Sequence, residues 1–223
     1  MKRLIKGVTL LIMTFLLINM AFFNVYGEGK NKIIVLDPGH GGIDGGAKSE
    51  NGVIEKDINL SIALKTKKLL EDKGYKVIMT RSEDVGLYTE GKKVKEKKRE
   101  DLGNRVKIKR DTKCDVFISI HQNMFPQKNC RGAQVWSSNN ENSKKLGQII
   151  QKSFRENLDS NNKREAKVAK KEYKILNDYY DGASVIVECG FLSNEEECSL
   201  LVKEEYQEKI ADTLLKAVEE YFK

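Results

Sequence analysis

Short, almost entirely apolar runs recur along this chain and alternate with longer stretches of helical spacing. Strands that are apolar on both faces belong to a mainly parallel sheet, because helices cover both of its sides. The pattern therefore predicts the α/β class: a single domain with a mainly parallel, twisted sheet flanked by helices on both faces. The predicted strands are residues 33–36, 75–80, 115–120, 132–137, 173–176 and 183–188.

The stretches between these runs carry apolar residues at helical spacing. Ile58, Ile62 and Leu69 predict a helix at residues 55–73, which Gly74 ends. A charged helix is predicted at residues 94–110. Two further helices have apolar residues four positions apart, Leu146, Ile150, Phe154 and Leu158 in one and Tyr206, Ile210, Leu214 and Val218 in the other.

The N-terminal segment differs from the rest of the chain. Basic residues precede an apolar stretch at residues 8–23, and Val25 and Gly27 are small residues of the kind that a signal peptidase reads. We expect residues 1–27 to be a signal peptide, with an uncleaved membrane anchor as the alternative, since the apolar stretch approaches the length of a membrane span. Either way, the working domain, residues 28–223, would be exported and act outside the cytoplasm.

The net charge of the chain limits the classes of partner that it could bind. Without the three basic residues of the leader, the formal net charge falls from +7 to +4. This modest charge favours weak attraction to anionic surfaces such as cell wall and gives no support for a nucleic-acid partner. The basic segment 92–99 contains Glu96 and no aromatic residue. It is predicted to be a solvated helix face, with contact to a polyanion or a protein as the alternative.

The four cysteines are Cys114, Cys130, Cys189 and Cys198. Their spacing matches neither a Cys-x-x-Cys motif nor a small disulfide framework, and a chain of this length does not need disulfides to fold. We expect most of them to be buried, small apolar residues. A Cys189–Cys198 or a Cys114–Cys130 bridge is the alternative.

Both histidines of the chain follow predicted strands. His40 lies in the glycine-rich segment LDPGHGGIDGG, and His121 comes directly after residues 115–120. Glu188 ends the last predicted strand. Because sites in open α/β sheets form beyond the carboxyl ends of the strands, we expect these side chains to meet at one edge.

The glycine-rich segment does not fit phosphate binding. Asp44 occupies the third glycine position of a dinucleotide fingerprint, and Ala47 stands where a P-loop requires lysine. The carboxylates of Asp37 and Asp44 would also repel a polyphosphate. A nucleotide site is therefore excluded.

A metal site fits these residues better. Zinc hydrolases commonly use two histidines and a carboxylate and leave one position for water. Glycines around His40 would let the backbone pass close to an ion and its substrate. A zincin is excluded, since no His-Glu-x-x-His motif occurs. Spacing leaves the carboxylate open among Asp37, Asp44, Glu50, Glu55 and Glu188.

Four segments in order, LDPGHGGIDGGA, GVIEKDINLSIALKTKKLLEDKGYKVIMTR, CDVFISIHQN and GASVIVECGFLSN, resemble the zinc-dependent N-acetylmuramoyl-L-alanine amidases. The resemblance extends from residue 32 to the C-terminus. It implies Zn²⁺ as cofactor, His40, Glu55 and His121 as its ligands, and Glu188 as the catalytic glutamate. The implied reaction is hydrolysis of the amide between the lactyl group of N-acetylmuramic acid and L-alanine in peptidoglycan.

The resemblance is strongest to the spore-cortex, germination-specific type, which has a leader and no wall-binding repeats. That type is associated with formation of muramic-δ-lactam together with a peptidoglycan deacetylase. Because the chain carries no wall-targeting module, we also expect a protein partner that activates or localises it. One departure from the family pattern is Gln122, where a small residue is usual. Another is Ala183 and Ser184, where the strand commonly begins with proline.

Two other functions are compatible with the sequence. A Cys–His peptidoglycan hydrolase would use Cys189 or Cys114 with His121, although strand alternation turns Cys189 away from Glu188. A wall-binding domain with a degenerate site would bind peptidoglycan without cleaving it.

Overall fold

The structure, a computed structural model, describes residues 31–171 and 173–223. The predicted leader, residues 1–27, lies outside the described residues. The strands are β1 (Ile33–Pro38), β2 (Lys76–Met79), β3 (Val116–Asn123), β4 (Gln134–Ser137), β5 (Lys167–Val168) and β6 (Ala183–Phe191). They form a six-stranded sheet in the order β2-β1-β3-β6-β4-β5.

Most neighbouring strands in this sheet are parallel. β1 pairs in parallel with β2 and β3, and β3 pairs in parallel with β6. β4 runs antiparallel to β6 and carries β5 in parallel beyond it. The connection between β3 and β4 contains no helix. A strand that returns in parallel needs a crossover connection of about a dozen residues or more, usually a helix, so this short connection favours the antiparallel direction of β4. The predicted mainly parallel sheet is therefore confirmed, with an antiparallel edge.

Helices cover both faces of the sheet, as predicted. The α-helices are α1 (Glu55–Asp72), α2 (Val94–Asp111), α3 (Glu141–Asn157), α4 (Glu195–Leu201) and α5 (Glu204–Tyr221). On one face, α5 packs against both α1 and α3. On the other face, α2 packs beside a 3₁₀ helix, Lys174–Leu176.

Strand alternation divides the apolar residues into two cores. Ile118 and Val187 belong to the larger core, under α1, α3 and α5. Phe117 and Ile186 point to the opposite face and belong to the smaller core, beside the 3₁₀ helix. Because side chains alternate along a strand, the face of Phe117 also carries His121 at the end of β3.

The prediction of a strand at residues 173–176 was wrong. The segment forms the 3₁₀ helix, in which the adjacent residues Ile175 and Leu176 are both buried in the smaller core. A strand would have turned one of these side chains away from the core. Periodicity cannot separate the two structures in so short an apolar run.

Two short elements were not predicted. Both residues of β5 are exposed, so this strand has no apolar signal. α4 has the start signal of a helix, since the side chain of Asn194 accepts a hydrogen bond from the backbone N–H of Glu197 at 3.1 Å.

All four cysteines lie within the described residues and are free thiols; Cys114, Cys189 and Cys198 are buried. The expectation of buried, unpaired cysteines therefore holds for these three. The basic segment 92–99 is exposed, as predicted, except for Lys97. Among the described residues, no helix combines the length and apolarity that crossing a membrane requires.

Candidate metal centre

His40, Glu55 and His121 meet at the carboxyl edge of the sheet. One ligand atom from each lies within 4.8 Å of the others. Nδ1 of His121 is 2.9 Å from Oε1 of Glu55, and Nε2 of His40 is 3.2 Å from Oε2 of the same carboxylate. Each carboxylate oxygen therefore faces one imidazole, and the three side chains could hold a metal ion.

The glycine-rich loop allows this close approach. A Cβ at Gly39 would lie 2.2 Å from Cε1 of His121, and a Cβ at Gly46 would lie 2.5 Å from Oε2 of Glu55. Such distances are far shorter than van der Waals contact, so a side chain at either position would displace the cluster. His40 itself has a left-handed backbone with φ of 62°. This conformation is costly for a residue with a Cβ and is maintained by the surrounding contacts.

Glu55 is the first residue of α1 and is 3% exposed. The backbone N–H groups of Ala47 and Gln122 donate to its two oxygens at 2.8 and 3.1 Å. Burial acts to raise the pKa of Glu55, but its hydrogen bonds to His121 and His40 outweigh burial and hold the pKa far below its usual range. The positive end of the helix favours the same ionised form. Glu55 is therefore a buried, fixed negative charge.

Asp44 contacts the outer nitrogen of His40. Its Oδ2 lies 3.0 Å from Nδ1 of His40, and its Oδ1 accepts a hydrogen bond from Lys98 at 2.8 Å. Burial acts to lower the pKa of His40, but hydrogen bonds to Asp44 and Glu55 outweigh this and raise the pKa to about 9. A carboxylate on the far nitrogen is typical of metal-ligating histidines, because it fixes the ring orientation.

The structure shows which of the five candidate carboxylates lies beside both histidines. Glu55 is the one within the histidine cluster. Asp44 holds His40 from outside, and Asp37 is fully buried in an ion pair with Arg105. Glu50 is exposed and pairs with Lys128.

Glu188 lies beside the cluster on the neighbouring strand. It is the direct partner of His121 in the register of β3 and β6, and it lines the same cavity as His40 and His121. Its Oε2 is buried and makes no hydrogen bond. Burial raises the pKa of Glu188 to about 7, and the charge of Glu55 adds to this rise against the opposing effect of His121 and His40. Glu188 is thus a carboxyl group beside the site with one unpartnered buried oxygen and a pKa near neutrality.

Neither cysteine of the Cys–His alternative reaches the cluster. Cys189 points into the larger core, on the face opposite to Glu188, and burial raises the pKa of its thiol. Cys114 lies before the first residue of β3, and His121 lies near its last, roughly 20 Å away at about 3.3 Å per residue.

Two buried arginines, Arg81 and Arg105, lie beneath the glycine-rich loop and were not predicted from the sequence. The guanidinium of Arg105 donates to Asp37 at 2.6 Å and to the carbonyl oxygens of Pro38 and His40 at 2.8 and 2.6 Å. Arg81 donates to the carbonyl oxygens of Pro38 and Gly39, both at 3.0 Å. Together they hold the backbone that carries His40. Arg105 is one of many basic residues in a charged helix, so its burial could not be predicted from the local sequence.

The comparison with known families decides the identity. A family described as Amidase_3, N-acetylmuramoyl-L-alanine amidase, matches residues 34–220. The chain belongs to this amidase family. It is therefore an enzyme of the N-acetylmuramoyl-L-alanine amidase class, with peptidoglycan as its substrate.

Several relatives cover nearly the same part of the amidase. The germination-specific N-acetylmuramoyl-L-alanine amidase of Bacillus subtilis strain 168 is 40% identical over 193 residues, which are 86% of this chain and 80% of that protein. The CwlD amidase of Clostridioides difficile, solved in complex with the GerS lipoprotein, is 44% identical with a TM-score of 0.83, covering 86% of this chain and 98% of that one.

A second solved structure gives the same fold. An N-acetylmuramoyl-L-alanine amidase from Clostridium difficile 630 is 27% identical with a TM-score of 0.71, and the match covers 86% of this amidase and 97% of that chain. These comparisons confirm the fold and the enzyme class that the sequence motifs predicted.

Proposed function

We propose that this amidase is a zinc hydrolase that cleaves the amide between the lactyl group of N-acetylmuramic acid and L-alanine. In this proposal His40, Glu55 and His121 hold the zinc ion, and Glu188 is the catalytic proton carrier. One observation carries the proposal. Three ligand atoms within 4.8 Å of one another lie next to a carboxyl group that has no partner on its buried oxygen.

The chemistry of the cluster fits zinc. Two imidazoles and one carboxylate form a typical ligand set of catalytic zinc sites, which keep a further position open for substrate or water. His40 is already fixed by Asp44, as ligating histidines usually are. When bound, zinc supplies Lewis-acid chemistry, polarising the scissile carbonyl and making water more acidic.

Glu188 supplies the proton transfer. A general base works best when its pKa lies near the working pH, and the pKa of Glu188 is about 7. Its free Oε2 accepts a proton from the attacking water. The same carboxyl group then donates that proton to the amine nitrogen of L-alanine as the C–N bond breaks. Leaving-group departure then needs no second acid.

We further propose that the substrate is spore-cortex peptidoglycan. The relative from Bacillus subtilis is named germination-specific, which supports this assignment. Removal of the stem peptide frees the lactyl carboxyl group, and a deacetylase that frees the neighbouring amine would allow the two groups to form muramic-δ-lactam. Export by the leader, residues 1–27, would bring the enzyme to this substrate.

A protein partner is part of this proposal. The solved CwlD amidase from Clostridioides difficile is in complex with the GerS lipoprotein. That complex supports the expectation that a protein partner activates or localises this amidase. If a partner activates the amidase, its addition should raise the zinc content or the turnover of the purified domain, and no change in either would limit the partner to localisation.

Mass spectrometry of digested peptidoglycan tests the reaction. Purified protein with zinc should convert cortex peptidoglycan to glycan with peptide-free muramic acid, and it should release peptides with a free L-alanine N-terminus. Glu188→Gln protein serves as the matched control. Cleavage within the peptide or the glycan, or product formation by the Gln variant at the wild-type rate, would contradict the proposal.

A further inference from the structure

The amide of Asn59 touches all three segments that carry the proposed ligands. Asn59 is fully buried on α1, one helical turn after Glu55. Its Nδ2 donates to Oε1 of Glu55 at 3.3 Å and to the carbonyl oxygen of Gly39 at 3.2 Å. Its Oδ1 accepts a hydrogen bond from Nε2 of Gln122 at 3.1 Å.

These contacts lie next to the ligands in sequence. Gly39 directly precedes His40, and Gln122 directly follows His121. Asn59 therefore joins the loop after β1, the start of α1 and the end of β3 through one planar group. Within the described residues, Asn59 is the one side chain that forms hydrogen bonds to Glu55, Gly39 and Gln122 together.

We propose that Asn59 is the positioning residue of the metal centre and that Gln122 fixes the orientation of its amide. This inference rests on the proposed zinc site. Two of the contacts are to acceptor oxygens, so the NH₂ end of Asn59 must face Glu55 and Gly39. The donor NH₂ of Gln122 meets the remaining oxygen and holds the amide in that orientation.

The contact to Glu55 sets the direction of the carboxylate. Oε1 receives hydrogen bonds from Asn59 and from the backbone N–H of Gln122, while Oε2 receives one from the backbone N–H of Ala47. These fixed donors hold the carboxylate toward both histidines before any ion arrives. Partners of this kind typically change metal affinity by about 10–100-fold when they are removed.

The test compares zinc affinity with stability. Asn59→Ala should weaken zinc binding by about 10–100-fold in competition with a fluorescent chelator. Thr66→Val is the matched control, because Thr66 is also fully buried on α1 but donates to the carbonyl oxygen of Ile62, away from the cluster. Thr66→Val should keep the wild-type zinc affinity even where its metal-free melting temperature falls. Wild-type zinc affinity in Asn59→Ala would overturn the inference.

A second variant keeps the test decisive if Asn59→Ala does not fold. Gln122→Ala leaves both donors of Asn59 in place but frees its amide to turn, so zinc affinity should fall by less than in a ligand variant such as His121→Ala. Unchanged affinity in Gln122→Ala would overturn the inference, because the metal centre would then not depend on the fixed orientation of the Asn59 amide. Wild-type protein that binds no more zinc than His121→Ala would overturn the proposed zinc site itself. Tight wild-type binding with no effect at position 59 would overturn this inference alone.

Discussion

His121 and Glu188 are direct neighbours across the parallel strands β3 and β6. Strand alternation places both side chains on the face of the smaller core, at the edge where His40 and Glu55 also lie. The sheet thus brings a carboxyl group with a free buried oxygen beside a cluster of three ligand atoms. This relationship is the basis of the predictions below.

The first prediction concerns Glu188. Glu188→Gln keeps the size of the side chain but cannot carry a proton, so kcat should fall by about 10²–10⁴-fold. The zinc content and the melting temperature should remain those of the wild type. Steady-state kinetics on peptidoglycan fragments and metal analysis of the same sample measure both quantities. Wild-type turnover in this variant would show that Glu188 is not the proton carrier.

The second prediction concerns pH. Glu188 must be deprotonated to act as a base, and its pKa is raised from 4.5 to about 7. The value of kcat/KM should therefore fall as the pH drops, with a midpoint above the ordinary glutamate value of 4.5. A pH–rate profile of the zinc-loaded enzyme measures this midpoint. An acid limb centred on the ordinary glutamate value would show that a different group titrates.

The third prediction separates metal from thiol catalysis. Chelation of the metal should abolish activity, and added zinc should restore it. Cys189→Ala should retain amidase activity, because this thiol points into the larger core, away from Glu188. Activity that survives complete metal removal, or that is lost in Cys189→Ala protein with wild-type zinc content, would favour the Cys–His alternative.

The fourth prediction concerns stability beneath the loop. Asp37→Asn removes the charge that faces Arg105 in a pair where both side chains are at most 2% exposed. Arg105 then keeps only its ion pair with Asp101, so the free energy of unfolding should fall by about 2–3 kcal/mol. Asp212→Asn is the control, because its pair with Lys216 is half exposed and should contribute less than about 1 kcal/mol.

Urea denaturation of the metal-free proteins measures both variants. Equal losses of stability in Asp37→Asn and Asp212→Asn would contradict the role given to Arg105. That role is to hold the carbonyl oxygens of Pro38 and His40 while Asp37 and Asp101 neutralise the charge of Arg105.

The sequence predicted the edge of the sheet where the site lies, because apolar strands end at His121 and Glu188 and place them together. It did not choose the carboxylate. Spacing treated Glu55 and Asp44 alike, and only the family resemblance favoured Glu55. The structure shows the difference, since Asp44 contacts the outer nitrogen of His40 whereas Glu55 faces both histidines. The roles of these residues in catalysis stay predictions.

The remaining features depend on contacts between distant segments. Asn59 reads as an ordinary polar residue of a helix, and only the packed structure brings it to Gly39 and Gln122. Arg105 likewise reads as part of an exposed basic helix. Tertiary packing also decides that residues 174–176 form a 3₁₀ helix over the smaller core. The local sequence pattern does not contain this information, because these contacts join residues that are far apart in sequence.

The most direct test of the account is anomalous diffraction at the zinc absorption edge from crystals of the zinc-loaded protein. The account predicts a single strong peak in contact with His40, Glu55 and His121, and no such peak in crystals of His121→Ala. A zinc peak elsewhere, or an active enzyme with no metal between these three side chains, would contradict it.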